Sequence, residues 1–279
     1  MTQPDRYAVF GHPIEHSQSP RIHALFAAQT GQDLIYTAED VPPDRFESCV
    51  RAFFDGGGRG LNCTIPLKEM AWLLADNRSA RAKRARAVNT LLLRGDGSIF
   101  GDNTDGIGLL RDLRDNLGLN LAGTKILILG AGGATRGILA PLLAERPDRL
   151  VIANRTVATA ETLTVEFGDL GPVEGCGFAA LAGRRFDLII NATAASLSGE
   201  LPPLPADILA PGGSCYDLAY AAEPTPFVRW GQEKQAVVSA DGIGMLVEQA
   251  AEAFLLWRGV RPQTRPVIET LEAERRTAK

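Results

Sequence analysis

A glycine-rich turn between a strand pattern and a helix pattern is the feature that most constrains the fold of this chain. The apolar run 125–129 predicts a buried strand, and residues 135–143 have the spacing of a helix. Between them lie Gly130, Ala131, Gly132, Gly133 and Ala134. Gly130 permits a tight turn, and Gly132 and Gly133 leave room for phosphate oxygens to approach backbone N–H groups. The turn therefore predicts a pyrophosphate site at the start of a helix.

The next predicted strand indicates which dinucleotide would bind. It covers residues 149–153 and ends at Asn154, Arg155 and Thr156. An acidic residue is usual here in NAD sites, where it binds the ribose hydroxyls, whereas a guanidinium suits a 2′-phosphate. Thr135 departs from the usual third glycine or alanine of the turn, and a solvated arginine is the alternative interpretation of Arg155. The spacing favours an NADP site.

Charge and composition exclude several classes of partner. The 29 basic and 33 acidic residues give a net charge of −4, which argues against a nucleic acid partner. No apolar run approaches a membrane span, so we expect a soluble, cytoplasmic protein. The four cysteines are scattered, as free thiols in a reducing compartment are, and three early histidines lack metal-ligand spacing. The basic run 78–86 is interpreted as a solvated helix face, with attraction of an anionic ligand as the alternative.

The order of the patterns predicts an α/β fold with parallel sheets in two domains. Predicted strands lie at 7–10, 34–38, 59–63, 88–93, 99–100, 125–129, 149–153, 186–190, 214–218 and 236–239, and predicted helices at 21–29, 44–54, 68–74, 106–117, 135–143, 241–257 and from 267 onwards. No strand follows the last two helices, so we expect them to pack on the first domain. The predicted division is 1–104 plus 242–279 for a substrate domain, and 105–241 for the dinucleotide domain.

Four segments concentrate polar side chains beyond what a fold needs. They contain Ser17 and Ser19, then Asn62, Thr64 and Lys68, then Asn89, and finally Asp105. Asn62 and Thr64 would share one face of a strand by the two-residue period. Helix capping is the structural alternative for Ser19 and Asp105. Lys68 at a helix start opposes the helix dipole, which makes a purely structural role less natural.

These segments, with 191–193, 216–220, 225–227 and 241–250, resemble the shikimate dehydrogenase family in order and spacing from about residue 7 to residue 257. The resemblance implies an N-terminal α/β substrate domain, a Rossmann-like NADP domain and C-terminal helices that return to the first domain. It also implies an active site in the cleft between the domains. The implied reaction is reversible hydride transfer between NADPH and 3-dehydroshikimate, which gives shikimate in chorismate and aromatic amino-acid biosynthesis.

Position by position, the resemblance also implies site residues. Lys68 and Asp105 would be catalytic, and which of them transfers the proton is open. The residues that would bind substrate are Ser17, Ser19, Asn62, Thr64, Asn89, Tyr220 and Gln249. The residues that would bind the cofactor are Gly130, Ala131, Gly132, Gly133, Ala134, Asn154, Arg155, Thr156, Leu218 and Gly242.

Some positions depart from the family pattern. Thr159 is neutral where many NADP-using relatives have a second basic residue, and Cys63 stands where valine is common. Apart from these departures, two other functions remain open: a quinate/shikimate dehydrogenase with relaxed substrate or NAD use, and a non-catalytic NADP-binding sensor. The family includes monomers and homodimers, and the sequence does not distinguish them.

Overall fold

The computed structural model describes residues 3–277 and divides into two compact units. Unit 1 contains the chain up to Gly108 together with Val247–Thr270. Unit 2 contains Leu109–Leu246 together with the chain from Leu271 onwards. Across the described residues, no helix is long and apolar enough to span a bilayer.

Unit 1 contains a six-stranded sheet, and helices lie between most of its successive strands in the sequence. Its strands are β1 (Asp5–Gly11), β2 (Leu34–Asp40), β3 (Gly58–Cys63), β4 (Asn77–Arg78), β5 (Thr90–Leu93) and β6 (Ile99–Asp102), and its first helices are α1 (Ser19–Thr30), α2 (Phe46–Asp55), α3 (Lys68–Leu74) and α4 (Ala80–Ala85). The strand order is β2-β1-β3-β5-β6-β4, parallel except for the β3–β5 and β5–β6 pairs. Phe10, Val50, Leu61 and Leu91 are fully buried in its core.

Unit 2 has a six-stranded sheet in which every pair is parallel. Its strands are β7 (Lys125–Leu129), β8 (Arg149–Ala153), β9 (Val173–Cys176), β10 (Phe186–Asn191), β11 (Leu209–Asp217) and β12 (Ser239–Ala240). The order is β12-β11-β10-β7-β8-β9. Helices α6 (Gly133–Ala144), α7 (Val157–Phe167) and α8 (Pro226–Glu233) connect successive strands. The apolar residues of β7 and β8 are continuous rather than alternating, which is typical of parallel sheets covered on both faces.

The remaining helices contribute residues to both units. They are α5 (Asp105–Arg111), α9 (Ile243–Arg258) and α10 (Arg265–Thr277).

The predicted α/β fold class is confirmed. The predicted domain division, however, assigned all of 242–279 to the first domain. In the structure the chain from Leu271 belongs to unit 2, because the Arg275 guanidinium pairs with Asp241 at 2.5 Å and donates to the Ala221 carbonyl.

Several predicted elements differ from the structure. The strand predicted at 236–239 is Ser239–Ala240, and the helix predicted at 106–117 leaves the α form at Arg111 for a π-helical turn, Asp112–Asn116. The short strand β4 and helix α4 lie where a solvated basic face was predicted. That interpretation is wrong for two of its arginines: Arg78 lies over the Trp72 ring at 4.7 Å, and Arg81 pairs with Asp102.

Candidate functional site

The Lys68–Asp105 ion pair lies at the centre of the polar cluster in unit 1. Lys68 begins α3 and Asp105 begins α5, and Lys68 Nζ lies 2.7 Å from Asp105 Oδ2. The side chains are 26% and 11% exposed, so the pair is mostly shielded from water but still reachable. A lysine at a helix start opposes the helix dipole, and the carboxylate offsets that cost. The arrangement holds an ammonium donor in a defined place.

Asn89 connects the pair to the loop before α5. Its Nδ2 donates to Asp105 Oδ1 at 2.8 Å and to Thr104 Oγ1 at 2.9 Å. Its Oδ1 accepts from the Thr104 backbone N–H at 2.8 Å. Both oxygens of Asp105 are therefore occupied, one by Lys68 and one by Asn89, which fixes the orientation of its carboxylate.

Gln249 of α9 reaches the same cluster from a distant part of the sequence. Its Oε1 lies 3.3 Å from Asn89 Nδ2 and 3.3 Å from Thr104 Oγ1. A Cβ added at Gly108 would lie 2.7 Å from Gln249 Cβ, so the glycine is needed for this close approach. The structure thus brings together four of the predicted residues, Lys68, Asn89, Asp105 and Gln249.

Asn62 is linked to Ser19 through Tyr36, and Ser17 contacts the backbone of Ser19. The Tyr36 hydroxyl donates to Asn62 Oδ1 at 2.7 Å and is also hydrogen-bonded to Ser19. Asn62 Nδ2 donates to the Asn89 carbonyl at 3.0 Å, which joins this group to the polar cluster around Lys68 and Asp105. Ser17 Oγ accepts from the Ser19 backbone N–H at 3.3 Å.

Thr64 differs from its prediction, because β3 ends at Cys63 and Thr64 opens the turn that follows. It therefore does not share a strand face with Asn62. Its N–H donates to the Phe10 carbonyl at 2.9 Å, and its carbonyl accepts from Leu67 at 2.8 Å. Burial raises the pKa of Cys63 to about 12 despite the nearby Lys68 charge, as in a packing residue rather than a reactive thiol.

The predicted pyrophosphate turn in unit 2 has the geometry of an anion site. Gly130 has φ +97°, and an added Cβ would lie 3.1 Å from the Ala192 carbonyl oxygen. An added Cβ at Gly132 or Gly133 would meet nothing within 4 Å, so open space lies over these residues. Helix α6 begins there with no side-chain cap and no acidic residue in its first turn. Thr135, at the atypical position, is fully buried and donates from Oγ1 to the Gly130 carbonyl at 2.8 Å.

The end of β8 carries the predicted 2′-phosphate residues. Asn154 Nδ2 donates to the Thr156 carbonyl at 2.9 Å, which shapes the turn around Arg155. Arg155 is exposed, and among residues 3–277 its side chain makes no hydrogen bond or ion pair. An exposed, unpaired guanidinium beside an uncapped helix start fits a phosphate-bearing dinucleotide.

Asp217 is the last residue of β11 and lies at the same carboxyl edge of the sheet as the ends of β7 and β8. Its fully buried carboxylate accepts hydrogen bonds from Asn191, Ser196, Thr225 and the Ala219 N–H at 2.5–3.1 Å. Burial raises the pKa of Asp217, and the four donors oppose that rise.

The backbone beside Asp217 is closely packed. The Leu218 N–H donates to the Asn191 carbonyl at 2.9 Å. A Cβ at Gly242 would lie 2.3 Å from the Leu218 carbonyl oxygen, so the structure brings together these two predicted cofactor residues. Tyr220 also lies in unit 2, where burial raises its pKa, and its predicted contact with substrate stays a prediction.

Sequence reasoning missed four residues that hydrogen-bond to predicted residues or to their chain neighbours: Tyr36, Thr90, Thr104 and Asp217. Thr90 Oγ1 accepts from Asn62 Nδ2 at 3.0 Å and donates to Asn89 Oδ1 at 2.9 Å. Asp217 lies inside the segment 216–220 that carries the family resemblance, and Thr104 directly precedes Asp105, so their positions are a usable signal. Nothing in the sequence distinguishes Tyr36 from a core tyrosine. The described residues contain no group of three or more His, Cys, Asp or Glu side chains placed to hold a metal ion.

The fold and these sites define a dinucleotide-binding α/β oxidoreductase. Three family descriptions match the chain: Shikimate dehydrogenase substrate binding domain over 9–91, Shikimate / quinate 5-dehydrogenase over 112–198, and Shikimate 5'-dehydrogenase C-terminal domain over 242–272. The chain belongs to the shikimate dehydrogenase family, which confirms the resemblance drawn from its motifs.

Individual relatives agree with this placement. A protein named Shikimate dehydrogenase (NADP(+)) from Methylococcus capsulatus is 99% identical over 100% of both chains. The crystal structure of an Ael1 enzyme from Pseudomonas putida is 52% identical, with a TM-score of 0.90 over 96% of this chain and 98% of that one. A Thermus thermophilus shikimate 5-dehydrogenase, solved with NADP(H) and shikimate, is 34% identical with a TM-score of 0.85, over 95% and 97% of the two chains.

Proposed function

We propose that this chain catalyses the reversible, NADPH-dependent reduction of 3-dehydroshikimate to shikimate. The observation that carries the proposal is the Lys68–Asp105 pair at 2.7 Å, surrounded by the amides of Asn89 and Gln249. Its support outside the structure is the name of the 99% identical relative and the ligands of the Thermus thermophilus enzyme.

In this proposal Lys68 and Asp105 act on the carbonyl that becomes a hydroxyl. NADPH, when bound, would supply the hydride to the carbonyl carbon. Negative charge develops on the carbonyl oxygen, and the Lys68 ammonium stabilises that charge while a proton is delivered. Asp105 holds Lys68 in place and accepts a hydrogen bond from a substrate hydroxyl. Either residue could transfer the proton, and the geometry of the pair is compatible with both.

Seven polar residues would bind the ring hydroxyls and the carboxylate of the substrate. A small polyhydroxy acid needs many hydrogen-bond partners, because each unpaired buried polar group costs about 1–3 kcal/mol. The residues assigned to this role are Ser17, Ser19, Asn62, Thr64, Asn89, Tyr220 and Gln249. Their support is the family pattern together with the hydrogen-bonded network that links most of them.

The cofactor residues are assigned in the same way. The Gly130–Ala134 turn would hold the pyrophosphate, and Asn154, Arg155 and Thr156 the 2′-phosphate. Leu218 and Gly242 would lie near the nicotinamide. We further propose that the dinucleotide domain starts near residue 105, that the protein works in the cytoplasm, and that it binds neither membrane nor nucleic acid, as a monomer or homodimer.

A second candidate is oxidation of quinate as well as shikimate. The family description matched over 112–198 names both compounds, and Thr159 offers no second basic group for NADP. The test follows nicotinamide absorbance with shikimate or quinate and NADP or NAD, in every pairing. Turnover confined to shikimate with NADP supports the first proposal. Comparable turnover with quinate supports the second, and NADP binding without any turnover would indicate a sensor and contradict both.

A further inference from the structure

The basic run around α4 contains an arginine in a well-formed ion pair. Arg81 Nε donates to Asp102 Oδ1 at 2.7 Å, and a terminal nitrogen donates to Asp102 Oδ2 at 2.5 Å. The Ser79 hydroxyl donates to Asp102 Oδ1 at 2.5 Å and accepts from Ala82 N–H, which makes Ser79 the N-cap of α4. Helix α4 and the end of β6 are therefore joined by three side-chain hydrogen bonds.

The same carboxylate is linked to the catalytic loop. Asp102 Oδ1 accepts from the Asn103 N–H at 2.7 Å, and Asn103 Oδ1 accepts from the Asp105 N–H at 3.1 Å. Asn103 Nδ2 also donates to the Ala87 carbonyl at 3.1 Å. The segment that presents Asp105 is thus anchored at its start by Asp102, three residues away.

The charges make this anchor depend on Arg81. The Asp102 side chain is 6% exposed; burial opposes its ionisation, but Arg81, Ser79 and the Asn103 N–H lower the pKa below its usual value. The charge of Glu252, from α9, also acts on Arg81. Removing one member of a buried pair leaves an uncompensated charge, whereas removing both is much less harmful.

We infer that Arg81 and Asp102 are a positioning pair that holds Asp105 in place beside Lys68. Neither side chain is a catalytic residue, because Arg81 and Asp102 act on the reaction only through the loop. The inference rests on the proposed function insofar as Asp105 is catalytic, but the placement of Asp105 against Lys68 can be tested separately.

The kinetic test compares Arg81→Met, Asp102→Asn, the double variant and Arg81→Lys with wild type. We expect Arg81→Met to lower kcat about tenfold or more with a smaller change in KM, because the reacting groups are displaced. The double variant should be less impaired than Arg81→Met, and Arg81→Lys intermediate, because lysine keeps the charge but loses the bidentate geometry. Lys83→Ala, an exposed cation on the same helix, is the matched control and should leave kcat unchanged.

A second test needs no substrate. Lysine acylation followed by mass spectrometry compares Lys68 with Lys125 and Lys234 as internal references. If Asp105 moves away in Arg81→Met, Lys68 loses its carboxylate partner and should be acylated several-fold faster than in wild type. The double variant should be closer to wild type.

The outcomes separate the two proposals. A wild type without turnover would overturn the proposed function, while the Lys68 acylation ratio would still decide the positioning pair. An unchanged or slower acylation in Arg81→Met, or an unchanged kcat, would overturn the pair. Thermal unfolding identifies variants that do not fold, and Arg81→Lys with the double variant then provides the same comparison.

Discussion

Each charged or amide side chain of the candidate substrate site is held by a residue far away in the sequence. Lys68 pairs with Asp105, and Asn89 lies within hydrogen-bonding distance of Gln249. Such fixed partners place donors before the reaction starts, which is how electrostatic stabilisation of a developing charge avoids a reorganisation cost. A substitution that removes one polar group from this network should therefore lower turnover more than it lowers the stability of the fold.

The first prediction concerns Lys68. We expect Lys68→Ala to lower kcat by about 10²–10⁴-fold, the usual contribution of a positioned proton donor. Steady-state assays with shikimate and NADP measure this, with Lys83→Ala as the control cation. Turnover that survives within a few-fold would contradict the proposed mechanism.

The second prediction concerns Arg155, whose guanidinium is exposed and without a partner among the described residues. We expect Arg155→Ala to weaken NADPH binding by about 1.5–3 kcal/mol, the range for hydrogen bonds to a charged group. NADH binding should hardly change, because NADH lacks the 2′-phosphate. Fluorescence titration of both cofactors measures the difference, and equal losses would remove the assignment of Arg155 to that phosphate.

At the scale of elements, two glycines of the β7–α6 turn have different roles. Gly130 is required by the protein itself, because residues with side chains rarely adopt its φ of +97° and an added Cβ would lie only 3.1 Å from the Ala192 carbonyl oxygen. Gly132 is not required by the protein, since an added Cβ would lie in open space. Any need for glycine at position 132 must come from a ligand.

The third prediction compares these two glycines. We expect Gly130→Ala to lower stability by about 1–3 kcal/mol, the usual cost of a strained backbone conformation. Gly132→Ala should leave the unfolding temperature unchanged but weaken NADP binding. Calorimetry and cofactor titration on both variants test this contrast, which fails if Gly132→Ala binds NADP as tightly as wild type.

The sequence predicted some elements well and missed others for physical reasons. Strands β7 and β8 were predicted with their observed residues, because a short apolar run next to turn residues is a strong local signal. Helix α7 was missed because its sequence is rich in threonine and valine, which have low helix propensity. Its contacts with the sheet override that propensity. Helix α4 lies in the basic run that was interpreted as a solvated helix face, but Ala82 and Ala85 are buried and Arg81 pairs with Asp102.

At the scale of the whole molecule, one buried histidine links stability to pH. His23 is 1% exposed, stacks on Tyr36 with ring centroids 4.1 Å apart, and neither ring nitrogen has a hydrogen-bond partner among the described residues. Burial lowers the pKa of His23 from 6.5 to about 3. The folded protein therefore keeps His23 neutral where the unfolded chain binds a proton, so stability is full above pH 6.5 and falls as pH drops towards 3.

The fourth prediction concerns the loss of stability at low pH that His23 causes. Between pH 7 and pH 5 the His23 contribution should lower the free energy of unfolding by about 2 kcal/mol. His23→Phe, which keeps an aromatic ring among Phe26, Tyr36 and Phe254, should lack this part of the pH dependence. Urea unfolding of both proteins at the two pH values tests it, and identical pH dependence would exclude His23 as the source.

The sequence by itself determined the α/β class, the glycine turn, the family and the identity of the residues proposed for the site. These features are local or consist of ordered motifs, so they can be read from neighbouring residues. Only the tertiary structure decided that Arg81 neutralises Asp102, that Tyr36 joins Ser19 to Asn62, and that the chain from Leu271 belongs to unit 2. Each depends on a contact between distant residues, and burial sets the strength of that contact once the chain has folded.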